Sequence, residues 1–451
     1  MLVSAVGTPA DEITAVDDEG RLSQRDIRII SGPPGPRAQE RIAHDKAFVS
    51  PSLIFCYPLY VARASGCMVE DVDGNVFLDA QAGVATASTG HCHPKVAAAI
   101  AAQAQNLIHI CGTDFHYPAY GAVCERLNAL AQRLSPAHPI TWQTFLTNSG
   151  TEAVEAALKL SRHHTKRGGI VAFRGGFHGR TYGSLSLTSS KTKYRKHFGP
   201  LLPSVFHGTW GSVASVQDDL FAHLVAPEDV AAIVVEPVLG EGGYILPPPD
   251  FLPGLRRLCD AHGILLVFDE VQSGMGRTGK MFAAEHFGVT PDVVVLAKGL
   301  ASGMPLGAMT ARKELMTWPP GSHGSTCAGN PVCCAAALAT LDLLEESLVD
   351  NAARRGEQLL ERLGRDLDLK TGVIEVRGAG LMIGVEFDNP ARADTVADLC
   401  FRRGLLVLEC GTKAIRISPP LILTEAQAHT IADVFITACH DVFHGPVPPT
   451  P

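Results

Sequence analysis

A chain of 451 residues is longer than one ordinary core accommodates and is expected to divide into about two or three domains. Its 46% hydrophobic and 19% charged residues are those of an ordinary globular protein. The net charge of −8, without any lysine- or arginine-rich run and with few aromatics, excludes a basic or stacking face for nucleic acid.

Residues 1–32 mix acids, arginines and small residues without an apolar core, so they do not form a secretory signal. No apolar run reaches the ~20 residues of a membrane helix, so no membrane partner is expected and the cytoplasm is the expected compartment. The twelve cysteines are scattered and mostly sit in apolar segments, which fits reduced core residues better than a disulfide framework. His91-Cys92-His93 matches no common zinc spacing and reads as a turn, so no metal site is expected.

Residues 1–45 read as irregular, with Gly32-Pro33-Pro34-Gly35-Pro36 as a stiff linker. The turn Asp71-Val72-Asp73-Gly74-Asn75 joins two short strands into a hairpin, and His93-Pro94 introduces an alanine-rich helix. From about residue 125 helices and strands alternate, with strands expected at 144–147, 170–173, 232–236, 264–269, 293–297 and 306–310. Helices are expected between them at 152–164 and 251–262. That rhythm predicts an α/β domain with a mainly parallel sheet and ligands at the carboxyl ends of its strands. Beyond a long helix near residues 330–346, helices and short strands interleave as a smaller α+β domain. The expected boundaries are 46–95 for a part packing with that small domain, 96–345 for the large domain, 346–443 for the small one, and 444–451 for a disordered tail.

Lys298 is the one charge in the stretch 293–310, and it closes the apolar run Val293-Val294-Val295-Leu296-Ala297. Burial there would lower its pKa and make the amine nucleophilic, as a Schiff-base lysine requires. A side chain reaching back to solvent is the other reading of that lysine. Asp269 likewise ends an apolar strand, where a carboxylate is costly without a cationic partner. Ser149-Gly150-Thr151, between a strand and a helix, would serve as a simple cap or as a phosphate site.

Phe177-His178-Gly179-Arg180 offers a flat aromatic and a guanidinium able to grip a carboxylate, or an ordinary packed ring and a surface arginine. Glu236 and Glu241 flank a glycine turn at another strand end. Gly324-Ser325-Thr326 precedes a helix, and Arg416 alternates with aliphatics on a short strand, a pattern that by itself fits an outward-facing side chain. Gly274-Met275-Gly276-Arg277-Thr278-Gly279 matches the dinucleotide fingerprint only as a string of letters, because Asp269-Glu270-Val271-Gln272-Ser273 intervenes between the apolar run and Gly274 and the next strand ends in Ala297-Lys298.

Taken in order, the Ser-Gly-Thr turn, the Phe-His-Gly-Arg loop, the Glu-Pro-x-x-Gly-Glu-Gly-Gly loop, Asp269-Glu270-Val271-Gln272 and Ala297-Lys298-Gly299 resemble the class III aminotransferases. These are fold-type I enzymes that use pyridoxal 5'-phosphate, and the resemblance covers nearly the whole chain. It is similar to the 4-aminobutyrate, ornithine and acetylornithine aminotransferases, and also to archaeal broad-specificity amino-acid racemases. The racemase likeness lies in the Gly-Pro-Pro-Gly-Pro entry, Cys111-Gly112-Thr113-Asp114 and the Cys410–Arg416 tail.

The resemblance implies that Lys298 forms the Schiff base and shuttles a proton, and that Asp269 pairs with the pyridine nitrogen. It implies Gln272 on the ring hydroxyl, Phe177 on the ring face, and Gly150 and Thr151 on the phosphate. Thr326 would join them from a partner subunit, in a homodimer or a dimer of dimers. Ser149, His178, Glu236 and Val271 would complete the cofactor's surroundings. Arg180 would bind a distal carboxylate, and Glu241 would release Arg416 to the α-carboxylate of an amino acid. Amino acids and 2-oxo acids are the implied partners, with transfer to 2-oxoglutarate as the first reading and racemisation as the alternative. Leu239 stands where the family usually has glutamine, and Cys327 where it has an aromatic, so both departures bear on substrate preference.

Overall fold

The protein, seen in a computed structural model, is described over residues 22, 26–367, 369 and 371–445. The irregular start expected for residues 1–21 and the tail expected for 446–451 lie outside the described residues.

Near the start, β1 (Val61–Ser65), β2 (Met68–Asp71) and β3 (Val76–Asp79) form an antiparallel meander around the expected hairpin turn. The central layer is a seven-stranded sheet of β4 (Trp142–Thr147), β5 (Gly169–Phe173), β6 (Val205–Gly208), β7 (Val230–Val235), β8 (Leu265–Asp269), β9 (Val293–Leu296) and β10 (Gly307–Arg312). Its order is β4-β10-β9-β8-β7-β5-β6, with β10 antiparallel to both neighbours and every other adjacent pair parallel. β5, β7, β8 and β9 are buried at every residue. Helices on both faces explain why they read as unbroken aliphatic runs.

In the C-terminal part, β11 (Val373–Ala379) and β12 (Met382–Phe387) pair with β15 (Ala414–Ile417) and β14 (Leu408–Cys410) in a second sheet. Between them β13 (Leu405–Leu406) leaves to pair in parallel with β3, so the N-terminal meander is completed by C-terminal chain. Helices Val349–Asp366, Pro390–Arg402 and Glu425–His444 pack together over this region.

Three features depart from the expectations. Pro36–Asp45 is a helix rather than irregular chain. Its first N–H groups, of Arg37 and Ala38, donate to the Asp73 carboxylate at 2.9 Å each, so its cap comes from the distant hairpin turn and leaves no local signal. β6 and β11 were not expected; both are edge strands, only part-buried, and so lack the apolar run that marked the others. Arg416 does not face solvent, for β15 is buried at every residue. Among the described residues no helix is long and apolar enough to cross a membrane.

Candidate active site

The parallel strands end at one level. Asp269 is the last residue of β8 and sits in register with Val295 of β9, three residues before Lys298. Val235, which ends β7, pairs with Phe268, so Glu236 follows at the same edge. The helix Gly150–Thr165 begins there too, immediately after β4. Crossover connections of one hand force this convergence: alternate β and α elements return each strand to the same edge.

A cavity of about 360 Å³ opens at that edge. Lys298, Asp269, Gln272, Val271 and Glu236 line it together with Ser149, Gly150, Thr151, Phe177 and His178. A larger cavity of about 640 Å³ adjoins it, with Phe177, Glu241 and Lys298 lining both. Arg180 and Arg416 border the larger one. Of the expected site residues, Thr326 alone stands apart: it is exposed and lines neither cavity of its own chain.

Lys298 takes a left-handed backbone conformation, with φ of 42°, which is strained for a residue bearing a Cβ. Burial holds its ammonium below the ordinary lysine range, against the opposing pull of Glu241, while Arg416 depresses it further. The amine is therefore biased toward the neutral, nucleophilic form.

Asp269 accepts from the Val271 N–H at 3.0 Å through Oδ1, and Oδ2 lies 2.7 Å from Nδ1 of His178. Burial by itself would lower the His178 pKa, but the hydrogen bond and charge of Asp269, with Glu236 beyond, raise it above the ordinary histidine range. The expected cationic partner of Asp269 is thus an imidazole. Glu236 accepts from the N–H groups of Phe177 and Gly240 at 2.8 Å each. Burial pushes its carboxyl up to about 7, moderated by His178.

Ser149 caps its helix by accepting from Glu152 N at 3.4 Å. The N–H groups of the first turn, at Gly150 and Thr151, point along the helix axis toward the cavity they line. A Cβ on Gly150 would stand 2.8 Å from a methyl of Val271, so a larger residue in that turn would force the Val271 side chain to shift. Oε1 of Gln272 is buried without a donor in the described chain.

Glu241 and Arg416 form a short ion pair, with Arg416 only 3% exposed. Burial would raise the Glu241 carboxyl, yet Arg416, and after it Lys298, hold it below the usual range. Arg180 is exposed at the outer cavity, its Cζ 4.9 Å from the Tyr194 ring centre and 5.7 Å from that of Phe177. The glycine run at residues 274–279 lies in successive turns, not in a strand-to-helix turn, so it does not form a dinucleotide site. Among the described residues no group of His, Cys, Asp and Glu side chains could hold a metal.

Sequence reasoning missed Tyr57 and Val84 at the outer cavity and Tyr244 beside Arg416. Tyr57 is brought there by its hydrogen bond from Val407 N, a contact 350 residues away along the chain that no local pattern announces.

The family model for class III aminotransferases matches residues 54–439. An acetylornithine aminotransferase of Methanopyrus kandleri is 44% identical over 82% of this chain and 92% of its own. An alanine/serine racemase of Pyrococcus horikoshii is 38% identical over 93% of this chain and 94% of its own. The crystal structure of the ornithine aminotransferase from Toxoplasma gondii superposes with a TM-score of 0.83 at 32% identity, covering 90% of this chain and 95% of that one. The chain is therefore a member of the class III aminotransferases, a family of pyridoxal 5'-phosphate-dependent enzymes.

Proposed function

We propose that this protein transfers an amino group from an amino acid or ω-amino acid, of the 4-aminobutyrate or ornithine type, to 2-oxoglutarate. One observation carries the reading: a buried lysine biased toward the neutral form shares a cavity with a buried carboxylate–imidazole pair and the open start of a helix.

The donor set fits pyridoxal 5'-phosphate. The first turn of the helix Gly150–Thr165 offers N–H groups to a phosphate. Asp269 offers a carboxylate to a ring nitrogen, Phe177 a flat face, and the orphaned Oε1 of Gln272 an acceptor for a ring hydroxyl. When bound, that cofactor supplies an electron sink for the bond broken at the substrate carbon. Asp269, backed by His178, keeps negative charge at the nitrogen position. Lys298 Nζ takes the proton from the substrate carbon and delivers it in the next step. Arg180 holds a distal carboxylate, whereas Arg416 receives an α-carboxylate once Glu241 turns aside. Thr326, exposed on its own chain, reaches the cavity of a second copy, so the active unit is a homodimer.

The likeness to an alanine/serine racemase supports a second reading, in which the proton returns to the opposite face of the same carbon. That outcome needs a second acid opposite Lys298. A chiral assay separates the two. Purified protein is offered single-enantiomer amino acids and 4-aminobutyrate, with and without 2-oxoglutarate. Glutamate formed only with the acceptor is the expected result; inversion without an acceptor would replace the first reading by the second.

A further inference from the structure

Tyr244 is fully buried, and its backbone takes a left-handed conformation with φ of 53° directly after Gly243 at 130°. A bulky side chain adopts that conformation only where its surroundings over-determine it. Here one side chain does so. Arg377 of β11 donates Nε to the Tyr244 carbonyl at 3.1 Å and Nη2 to the Gly243 carbonyl at 2.7 Å. Its remaining Nη1 is held by Glu375 at 2.7 Å and Glu386 at 2.6 Å. A planar fork can grip two successive carbonyls in this way, and an ammonium cannot.

The rest of the turn is clasped as firmly. Gly240 N donates to Glu236 at 2.8 Å, and Gly411 N donates to the Glu241 carbonyl at 2.8 Å. The backbone from Gly240 to Tyr244 is therefore tied down at both ends, and it presents two groups to one cation. The Glu241 carboxylate pairs with Arg416, and the Tyr244 ring centre lies 6.0 Å from the Arg416 Cζ.

We infer that Tyr244 is the second seat of the Arg416 guanidinium, and that Arg377 is the positioning residue that keeps it there. With the turn fixed, Glu241 frees Arg416 by rotation of its side chain, and the aromatic face retains the cation meanwhile. A ring suits this task because it attracts the guanidinium face and leaves the bidentate edge free for a carboxylate. The inference rests on the reading in which Arg416 receives an α-carboxylate.

The test uses the full-length protein loaded with pyridoxal 5'-phosphate and mixed with L-glutamate or 4-aminobutyrate, with each half-reaction followed by cofactor absorbance. The carboxylate of L-glutamate next to its amine calls on Arg416, and the single distal carboxylate of 4-aminobutyrate calls on Arg180. Tyr244→Leu is expected to raise the apparent Kd for L-glutamate about tenfold more than that for 4-aminobutyrate. Tyr244→Phe, which keeps the ring, restores the wild-type ratio. Arg377→Lys keeps a charge between Glu375 and Glu386 but releases the turn, and it shows the same one-sided rise. Equal weakening for both amino acids, or an unchanged ratio in Tyr244→Leu, overturns the inference. Arg416→Met is the control. If its ratio is also unchanged, or if the wild type reacts with neither compound, the proposed function falls and takes the inference with it. If its ratio rises while that of Tyr244→Leu does not, the second seat alone is refuted.

Discussion

Nδ1 of His178 lies 2.7 Å from Oδ2 of Asp269, and both side chains are closed to solvent. A buried carboxylate without a partner would take up a proton and lose its charge. The imidazole supplies that partner at the strand end where Asp269 lines the cavity.

Removing the imidazole in His178→Phe leaves Asp269 buried and unpaired, and we expect a loss of about 3 kcal/mol of stability. The His178 pKa is raised on folding, so its protonation stabilises the fold fully below its unfolded value and ceases to do so as pH rises through the folded one. Followed by NMR in the wild type, the His178 ring should therefore titrate above the ordinary histidine value of about 6.5. A ring titrating below that value would contradict the pairing.

Glu270 points away from the cavity, accepting from Ser273 at 2.7 Å, Ala283 N at 3.0 Å and Ala284 N at 2.8 Å. Burial pushes its carboxyl from 4.5 up to about 7. The same sign applies: its bound proton favours the fold below pH 4.5, and that advantage is lost as pH rises through about 7. Glu270→Gln, permanently neutral, should become more stable relative to wild type across this window, as thermal unfolding at a series of pH values would register.

Gly150→Ala sets a Cβ 2.8 Å from a Val271 methyl. Overpacking of this kind should cost about 1–3 kcal/mol and weaken cofactor binding at the helix start. Because the obstacle is a side chain, Val271→Ala should recover part of both losses in the double variant. Cofactor titration by absorbance reads the binding; full additivity of the two substitutions would place the conflict elsewhere.

Lys298→Ala should abolish turnover and the absorbance band of the loaded protein together, because no other amine lines the inner cavity among the described residues. Retention of the band with normal turnover would remove Lys298 from the chemistry.

Arg180→Ala should weaken substrates with a distal carboxylate by about tenfold to a hundredfold while sparing those without one. The comparison needs only KM values for two amino donors. Uniform loss across donors would assign Arg180 to packing against Tyr194 and Phe177 instead.

Lys298 and Asp269 were legible in the sequence for a simple reason: each is a charge closing an unbroken aliphatic run, and strands buried on both faces must be written that way. The same logic exposed β5, β7, β8 and β9, and the glycine-rich turns after β4 and β7. Local sequence determines such features because burial and backbone conformation act on neighbouring residues. Tertiary structure decided the rest. His178 as the partner of Asp269, the cap that Asp73 lends to Pro36–Asp45, and the grip of Arg377 on Gly243 and Tyr244 join residues 91, 36 and 134 positions apart. Hydrogen bonds at such separations leave no periodicity and no motif in the chain. They exist only because tertiary packing brings remote segments together: parallel strands ending at one edge for His178 and Asp269, the antiparallel hairpin for Asp73, and the C-terminal antiparallel sheet for Arg377.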